Sequence, residues 1–97
     1  MRSIPATPEL LSLAARIVWF KEPADTLADP VHFLAYLMTY GTAEDILEAE
    51  TAFTPGEFRE ALENAPPGVF RTEKWQHWNE KLGRVPVPPM PKRSFDR

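Results

Sequence analysis

The chain has 97 residues and a formal net charge of −3, and a chain of this length forms one small domain. Hydrophobic residues make up 43% and charged residues 26% of the chain, which excludes a disordered or fibrous protein. The absence of cysteine excludes a disulfide framework, a thiolate zinc site and a cysteine nucleophile.

Proline positions predict where the helices begin. Three prolines directly follow a residue that can cap a helix: Thr7-Pro8, Asp29-Pro30 and Thr54-Pro55. Thr42, with Asp45 three residues later, gives a fourth start. Because eleven prolines also disfavour a large sheet, we predict an all-α fold, a compact bundle of about five short helices. The predicted helices cover residues 8–21, 30–40, 43–53, 55–65 and 72–82.

The distribution of apolar residues predicts how these helices pack. The first helix has a polar stripe opposite an apolar side, and 30–40 is apolar nearly all round, which is typical of a helix at the centre of a bundle. The helix at 72–82 places Trp75, Trp78 and Leu82 on one face, which should cap the core. Segments 22–29 and 66–71 are predicted to be loops.

The chain divides into a helical domain, residues 1–83, and a proline-rich basic tail, residues 84–97. The tail has four prolines in its first eight residues and is predicted to be extended polyproline II, either docked or free. The longest nearly apolar runs are shorter than the ~20 residues that cross a bilayer, and no signal-peptide pattern is present. We therefore expect a cytoplasmic protein without membrane contact.

Few residues are suited to catalysis or metal binding. Glu73 and His77 are four residues apart on one predicted helix, but the sequence places no third ligand beside them, so a surface pair is the simpler interpretation. His32 is interpreted as a packing residue. No serine lies at a nucleophile spacing and no glycine-rich phosphate loop occurs. We expect no catalytic residue, no metal and no cofactor, and hence no enzymatic activity.

Charge is distributed unevenly along the chain. Residues 44–63 contain seven acidic residues and one base, whereas residues 84–97 contain four bases and one acid. An acidic body argues against direct nucleic-acid binding, where a basic folded face is expected. The acidic charge favours a protein partner with a basic surface. The alternative interpretation is that it only keeps two short helices soluble.

Trp19 is not explained by burial in the predicted bundle. It lies three residues after Arg16 and therefore continues the polar stripe of the first helix. An exposed tryptophan is a candidate anchor for a partner. The alternative is that segment 22–29 or the proline tail folds over it.

The order of several motifs resembles a known family. These motifs are WFKE, DPVHFLAYLMTYGTAEDI, FREALENAPPGVF, WQHWNEKLG and PVPPMPKRSF. In this order they are similar to small helical bacterial proteins encoded beside nucleotidyltransferase-fold (AbiEii-like) toxins. The similarity covers about residues 10–95. It implies that this chain is the antitoxin or partner, while the nucleotidyltransferase carries the chemistry.

Two classes of function follow. The first is a non-catalytic protein-binding module, an antitoxin-like partner of a nucleotidyltransferase-type toxin. The second is a self-associating structural or regulatory helical module, such as a homodimer, or a small DNA-binding protein that uses helices 30–53. The residues predicted to contact a partner are Trp19, Lys21, Glu44, Glu48, Glu57, Glu60, Pro88, Pro89, Pro91 and Arg93.

Overall fold

A computed structural model describes residues 1–91 of the chain. This part of the chain contains six α-helices and no strand, which confirms the all-α prediction. None of these helices combines the length and the apolarity of a bilayer-spanning helix. The helices are α1 (Pro8–Ile17), α2 (Pro23–Leu27), α3 (Pro30–Tyr40), α4 (Ala43–Glu50), α5 (Pro55–Glu63) and α6 (Thr72–Lys81).

The four predicted helix starts are confirmed by the capping contacts. The side chains of Thr7 and Asp29 accept hydrogen bonds from backbone N–H groups in the first turns of α1 and α3. Thr42 begins α4 with a reciprocal capping box, in which the hydroxyl accepts from the Asp45 N–H and the Asp45 carboxylate accepts from the Thr42 N–H. Thr54 begins α5 with the same arrangement. Local side-chain chemistry therefore determines these starts.

Two predictions about the helices are wrong. Segment 22–29 is not a loop throughout, because it contains α2. Proline is the first residue of α2, but the preceding Glu22 makes no side-chain cap, so the capping pattern that marked the other starts is missing. The first helix also ends at Ile17 rather than at residue 21, because the backbone leaves the helical conformation at Val18. Residues 19–21 therefore belong to the turn that joins α1 to α2.

The core is centred on α3, as predicted. This helix contacts each of the other five helices. Leu34 and Leu37 have no exposed surface. Trp75 and Trp78 are buried on α6, and Trp78 donates its indole N–H to the carbonyl oxygen of Met38 over 3.0 Å. The face of α6 that carries the two tryptophans thus covers the core.

Residues 84–91 of the predicted tail pack against the helical domain. The indole Nε1 of Trp75 donates to the carbonyl oxygen of Pro88 over 2.8 Å, and Val87 and Met90 contact the core. Arg84 donates to the buried side chain of Asn79 over 2.9 Å. This segment is therefore docked, while residues 92–97, including Arg93, lie outside the described residues.

Candidate functional site

Four aromatic side chains form a continuous cluster on the surface, which we call the aromatic surface: Trp19, Phe20, Tyr36 and Tyr40. Successive ring centres are 5.5 Å apart for Trp19 and Phe20, 5.9 Å for Phe20 and Tyr36, and 5.6 Å for Tyr36 and Tyr40. Together with Ile17 the rings line a depression of about 340 Å³. The turn after α1 and one face of α3 build this surface.

The aromatic surface is open to solvent. Trp19 is 79% exposed, and Phe20 and Tyr40 are each 52% exposed. Within residues 1–91, neither segment 22–29 nor residues 84–91 of the tail covers Trp19. Three large aromatic side chains in contact with water are unusual for a chain of this size, since aromatic residues are normally buried for their large apolar area.

Local backbone geometry explains why these rings face outward. The helix α1 ends after Ile17, and Val18 is fully buried, so the chain reverses with the next two aromatic side chains outside the core. On α3, Tyr36 and Tyr40 are four residues apart and therefore lie on one face. His32 extends that face by one more turn, with its ring centre 4.7 Å from that of Tyr36.

Sequence reasoning missed three members of this cluster, namely Phe20, Tyr36 and Tyr40. The helix 30–40 was interpreted as apolar nearly all round and therefore buried on every side. One signal in the sequence does mark the open face of this helix. The spacing of four residues places His32, Tyr36 and Tyr40 on one face, and each of these side chains has a polar end that tolerates water. No local signal places Phe20 beside Tyr36, since that contact depends on how α1 packs on α3.

Basic side chains border the aromatic surface. The guanidinium carbon of Arg71 lies 6.0 Å from the centre of the Tyr40 ring, and Lys21 follows Phe20 in a half-buried position. Arg16 lines the depression and donates to Asp45 over 3.0 Å and to Glu48 over 3.2 Å. Its hydrogen bond with Asp45 raises the pKa of Arg16, which is held in place beside the rings.

Three of the four acidic residues predicted to contact a partner are already paired within the chain. Glu48 binds Arg16, Glu57 lies 2.7 Å from Arg2, and Glu60 lies 2.9 Å from the amino group of Met1. Among the ion pairs of residues 1–91, only Glu44 of this set has none. The acidic charge of α4 and α5 is therefore partly neutralised by the protein itself.

The structure brings some of the predicted contact residues together and separates others. Trp19 and Lys21 both belong to the turn after α1, and Arg16 connects the aromatic surface to Glu48. The prolines of the tail form a different region, where the Pro88 carbonyl faces Trp75 of α6. Pro91 is half-buried and Pro89 is exposed.

The described part of the chain offers no cluster of three or more His, Asp or Glu side chains that could hold a metal ion. His77 packs its ring edge against Trp78, with centres 5.7 Å apart, and no ion pair or hydrogen bond joins it to Glu73 within residues 1–91. Comparison with family models, with curated proteins and with solved structures found no match to this chain.

Proposed function

We propose that this protein is a non-catalytic binding module that holds a protein partner at the aromatic surface. The observation that supports the proposal is the continuous exposure of Trp19, Phe20 and Tyr40 beside three basic side chains. An exposed apolar patch rimmed by polar groups is typical of a protein interaction site. Tryptophan, tyrosine and arginine are also the residues that most often dominate interface energies.

A protein partner fits this surface better than a nucleic acid. Exposed aromatic rings beside cations also stack single-stranded bases, so the geometry alone allows both. The net charge of −3, however, opposes accumulation near phosphates, and Arg16 is neutralised by two carboxylates. The remaining rim cations, Lys21 and Arg71, are better suited to acidic side chains at the edge of a protein interface.

The partner to test first is a nucleotidyltransferase-fold toxin, to which the resemblance in sequence points. On this proposal the protein acts as an antitoxin-like partner. The paired state of Glu48, Glu57 and Glu60 argues that these acids are secondary in such a complex. We therefore assign the main contact to the aromatic surface rather than to the acidic helices, with Trp19 as the central anchor.

Co-expression with a nucleotidyltransferase-fold toxin tests the proposal. We expect the two proteins to co-purify, and we expect Trp19→Ala and Tyr40→Ala each to weaken the complex by about tenfold or more. The matched control is Leu47→Ala, because Leu47 is also a large exposed apolar side chain but lies on α4 and does not line the depression. Full binding by both aromatic variants would contradict the proposal.

Self-association is the second candidate, and the exposed rings favour it because one copy can cover those of another. Sedimentation of the chain alone separates the two functions. A dimer that Trp19→Ala dissociates, with no complex on co-expression, would replace the partner-binding proposal with this one.

A further inference from the structure

The protein holds its own proline-rich segment on an aromatic pair that is separate from the aromatic surface. Phe70 and Trp75 lie edge to face, with ring centres 5.3 Å apart and planes at 68°. The Trp75 indole donates to the Pro88 carbonyl oxygen over 2.8 Å, and the guanidinium carbon of Arg84 lies 6.0 Å from the centre of the Trp75 ring. We call this arrangement the occupied site, because residues 84–91 are seated on it.

The aromatic surface repeats this construction in an exposed form. Trp19 and Phe20 also lie edge to face, with ring centres 5.5 Å apart and planes at 88°. An arginine again lies beside the cluster, since the guanidinium carbon of Arg71 is 6.0 Å from the centre of the Tyr40 ring. The difference is in exposure, because Trp19 is 79% exposed whereas Trp75 is 4% exposed. The same side-chain types that hold a proline-rich segment on α6 therefore face solvent here.

The aromatic surface also presents hydrogen-bond donors that are not used within residues 1–91. The indole N–H of Trp19 and the hydroxyl groups of Tyr36 and Tyr40 form no hydrogen bond with another residue in this range. A polyproline II segment has carbonyl oxygens without internal hydrogen bonds, and proline has no N–H that needs an acceptor. The carbonyl oxygens of a partner helix are already bonded within that helix, and a partner strand brings N–H groups for which a helix face has no free backbone acceptor. The unused donors therefore favour a proline-rich segment.

The dimensions of the aromatic surface fit a short segment of this kind. Aromatic-lined grooves bind proline-rich segments by packing the pyrrolidine rings between aromatic side chains. Successive ring centres along the row from Trp19 to Tyr40 are 5.5, 5.9 and 5.6 Å apart. Because polyproline II rises ~3.1 Å per residue, at most about six residues follow this row. The depression of about 340 Å³ between the rings receives their side chains.

The charges beside the rings favour acidic residues next to the prolines. In the described part of the chain, no acidic residue lines the depression, and its charged lining residue, Arg16, is neutralised by Asp45 and Glu48. Arg71 forms no ion pair in the same part of the chain. A carboxylate of the bound segment can therefore pair with Arg71, whereas the basic tail of another copy of this chain would be repelled.

We propose that the aromatic surface binds a proline-rich segment of the partner in polyproline II conformation, with an acidic residue beside the prolines. This inference rests on the proposed function, because it names the chemistry that the partner presents to the aromatic surface. The rings of Trp19 and Phe20 pack against the prolines. The indole and phenol groups donate to the carbonyl oxygens of the segment, and Arg71 pairs with its carboxylate.

Fluorescence anisotropy with labelled peptides and the full chain tests this inference. The probe is a peptide of about six prolines with glutamate at both ends. One comparison peptide has lysine in place of the glutamates. The other keeps the glutamates but has glycine and serine in place of the prolines, which makes it a flexible coil. We expect the glutamate–proline peptide to bind at least about fivefold more tightly than either of these.

Variants show whether the peptide binds at the aromatic surface. Trp19→Ala should weaken binding by about tenfold or more, and Tyr40→Phe, which keeps the ring but removes the donor, by about threefold to tenfold. Arg71→Glu should reverse the preference between the glutamate and lysine peptides, and Arg71 makes no capping contact with α6 that this change could remove. Leu47→Ala, outside the depression, is the matched control and should bind normally. Circular dichroism should show the same helix content in every variant.

Several results would overturn the inference. Equal binding of the three peptides would show that proline is not recognised. Binding that survives Trp19→Ala would place the peptide at the occupied site instead. Tighter binding of single-stranded oligothymidine than of the peptide would assign the surface to nucleic acid. A toxin complex that depends on Trp19 while no peptide binds would keep the proposed function and refute the proline-rich segment, whereas peptide binding without a toxin complex would support this inference and refute that toxin as the partner.

Discussion

The three tryptophans show how residues of one type acquire different roles in this protein. Trp75 and Trp78 are buried, and each donates its indole N–H to a backbone carbonyl oxygen. Trp78 also stacks on Phe58, with the ring planes 3° apart. Trp19 is exposed and belongs to the aromatic surface. Substitution of Trp78 should therefore lower the stability of the fold, whereas substitution of Trp19 should weaken partner binding.

Alanine substitution at Trp78 and at Trp19 tests this difference. We expect Trp78→Ala to lower the free energy of unfolding by about 3 to 5 kcal/mol, because it opens a cavity beside Phe58. It also leaves the Met38 carbonyl oxygen without its donor. Trp19→Ala should change the free energy of unfolding by less than about 0.5 kcal/mol. Urea titration of both variants measures the difference, and equal losses would contradict the assigned roles.

Gly41 is required by a close approach of the backbone rather than by an unusual backbone angle. A Cβ atom at this position would lie 2.7 Å from the Leu37 carbonyl oxygen, which already accepts from the Gly41 N–H. We expect Gly41→Ala to lower the free energy of unfolding by about 1 to 3 kcal/mol.

Gly56 provides the matched control for Gly41. A Cβ atom there meets nothing closer than 3.7 Å, and the residue lies in the first turn of α5. Gly56→Ala should leave the unfolding free energy unchanged or raise it by up to about 1 kcal/mol. Thermal denaturation of both variants provides the comparison, and equal destabilisation would show that the close contact is not the cause.

The helices depend on their first turns, because each is only 5 to 11 residues long. Helices of this length are marginal in isolation, so capping and packing together decide their stability. In α4 the Asp45 carboxylate accepts a hydrogen bond from the Thr42 N–H and also binds Arg16. The hydrogen bond from Thr42 is the main cause that lowers the pKa of Asp45 below its ordinary value.

The lowered pKa of Asp45 predicts a loss of stability in acid. A carboxyl group with a lower pKa in the folded state stabilises the fold above its unfolded pKa, near 3.8, and loses this contribution as the pH falls through the folded value. Urea titrations between neutral pH and the acid range should show this decrease. In Asp45→Asn the decrease should be smaller, because no carboxyl group is left at that position to protonate. An identical pH profile in the variant would contradict this role.

Residues 84–91, which follow α6, pack as part of the fold. Their packing gives Trp75 a hydrogen-bond partner and covers apolar surface of the core with Val87 and Met90. The sequence left open whether the tail is docked or free. The docked position of residues 84–91 predicts that their removal destabilises the helical domain.

Deletion of residues 86–97 should lower the free energy of unfolding by at least about 1 kcal/mol. One net hydrogen bond contributes about that much, and the loss of apolar burial adds to it. The control is deletion of residues 92–97, which keeps the contacts of Pro88 and Met90. Denaturant titration compares the two deletions, and equal stabilities would show that the docked segment contributes nothing.

At the scale of the whole molecule, one core connects all six helices. Within residues 1–91, the buried apolar residues form a single cluster that includes residues from each of the six helices, and Val87 and Met90 of the docked segment pack against it. The central helix α3 contacts each of the other five. Local charge pairs then hold the acidic helices to basic residues elsewhere in the chain, such as Arg2 and Arg16. A fold with one cluster offers no boundary at which a part can unfold alone.

Unfolding should therefore be a single cooperative transition. Tryptophan fluorescence reports mainly the surroundings of Trp75 and Trp78, while circular dichroism at 222 nm follows all helices, so the two denaturation curves should coincide. A fluorescence transition that precedes the loss of helix would instead show that α6 and the docked segment separate first.

The sequence by itself determined the helical class, the four capped starts, the central position of helix 30–40 and the burial of the α6 tryptophans. These features depend on interactions within one or two helical turns, or on the apolar periodicity of one element. It also singled out Trp19, but through a first helix that was predicted to reach residue 21, whereas α1 ends at Ile17 and Trp19 lies in the turn after it. The start of α2 was missed because Glu22 makes no capping contact.

Only the tertiary structure decided which surfaces are open. The contact between Phe20 and Tyr36 and the pairing of Glu48 with Arg16 join residues distant in sequence. The sequence shows where charged and aromatic residues lie along the chain, but not whether their side chains are paired. Pairing depends on how the helices pack and not on the local sequence pattern. The candidate binding surface therefore moved from the acidic helices to the exposed rings.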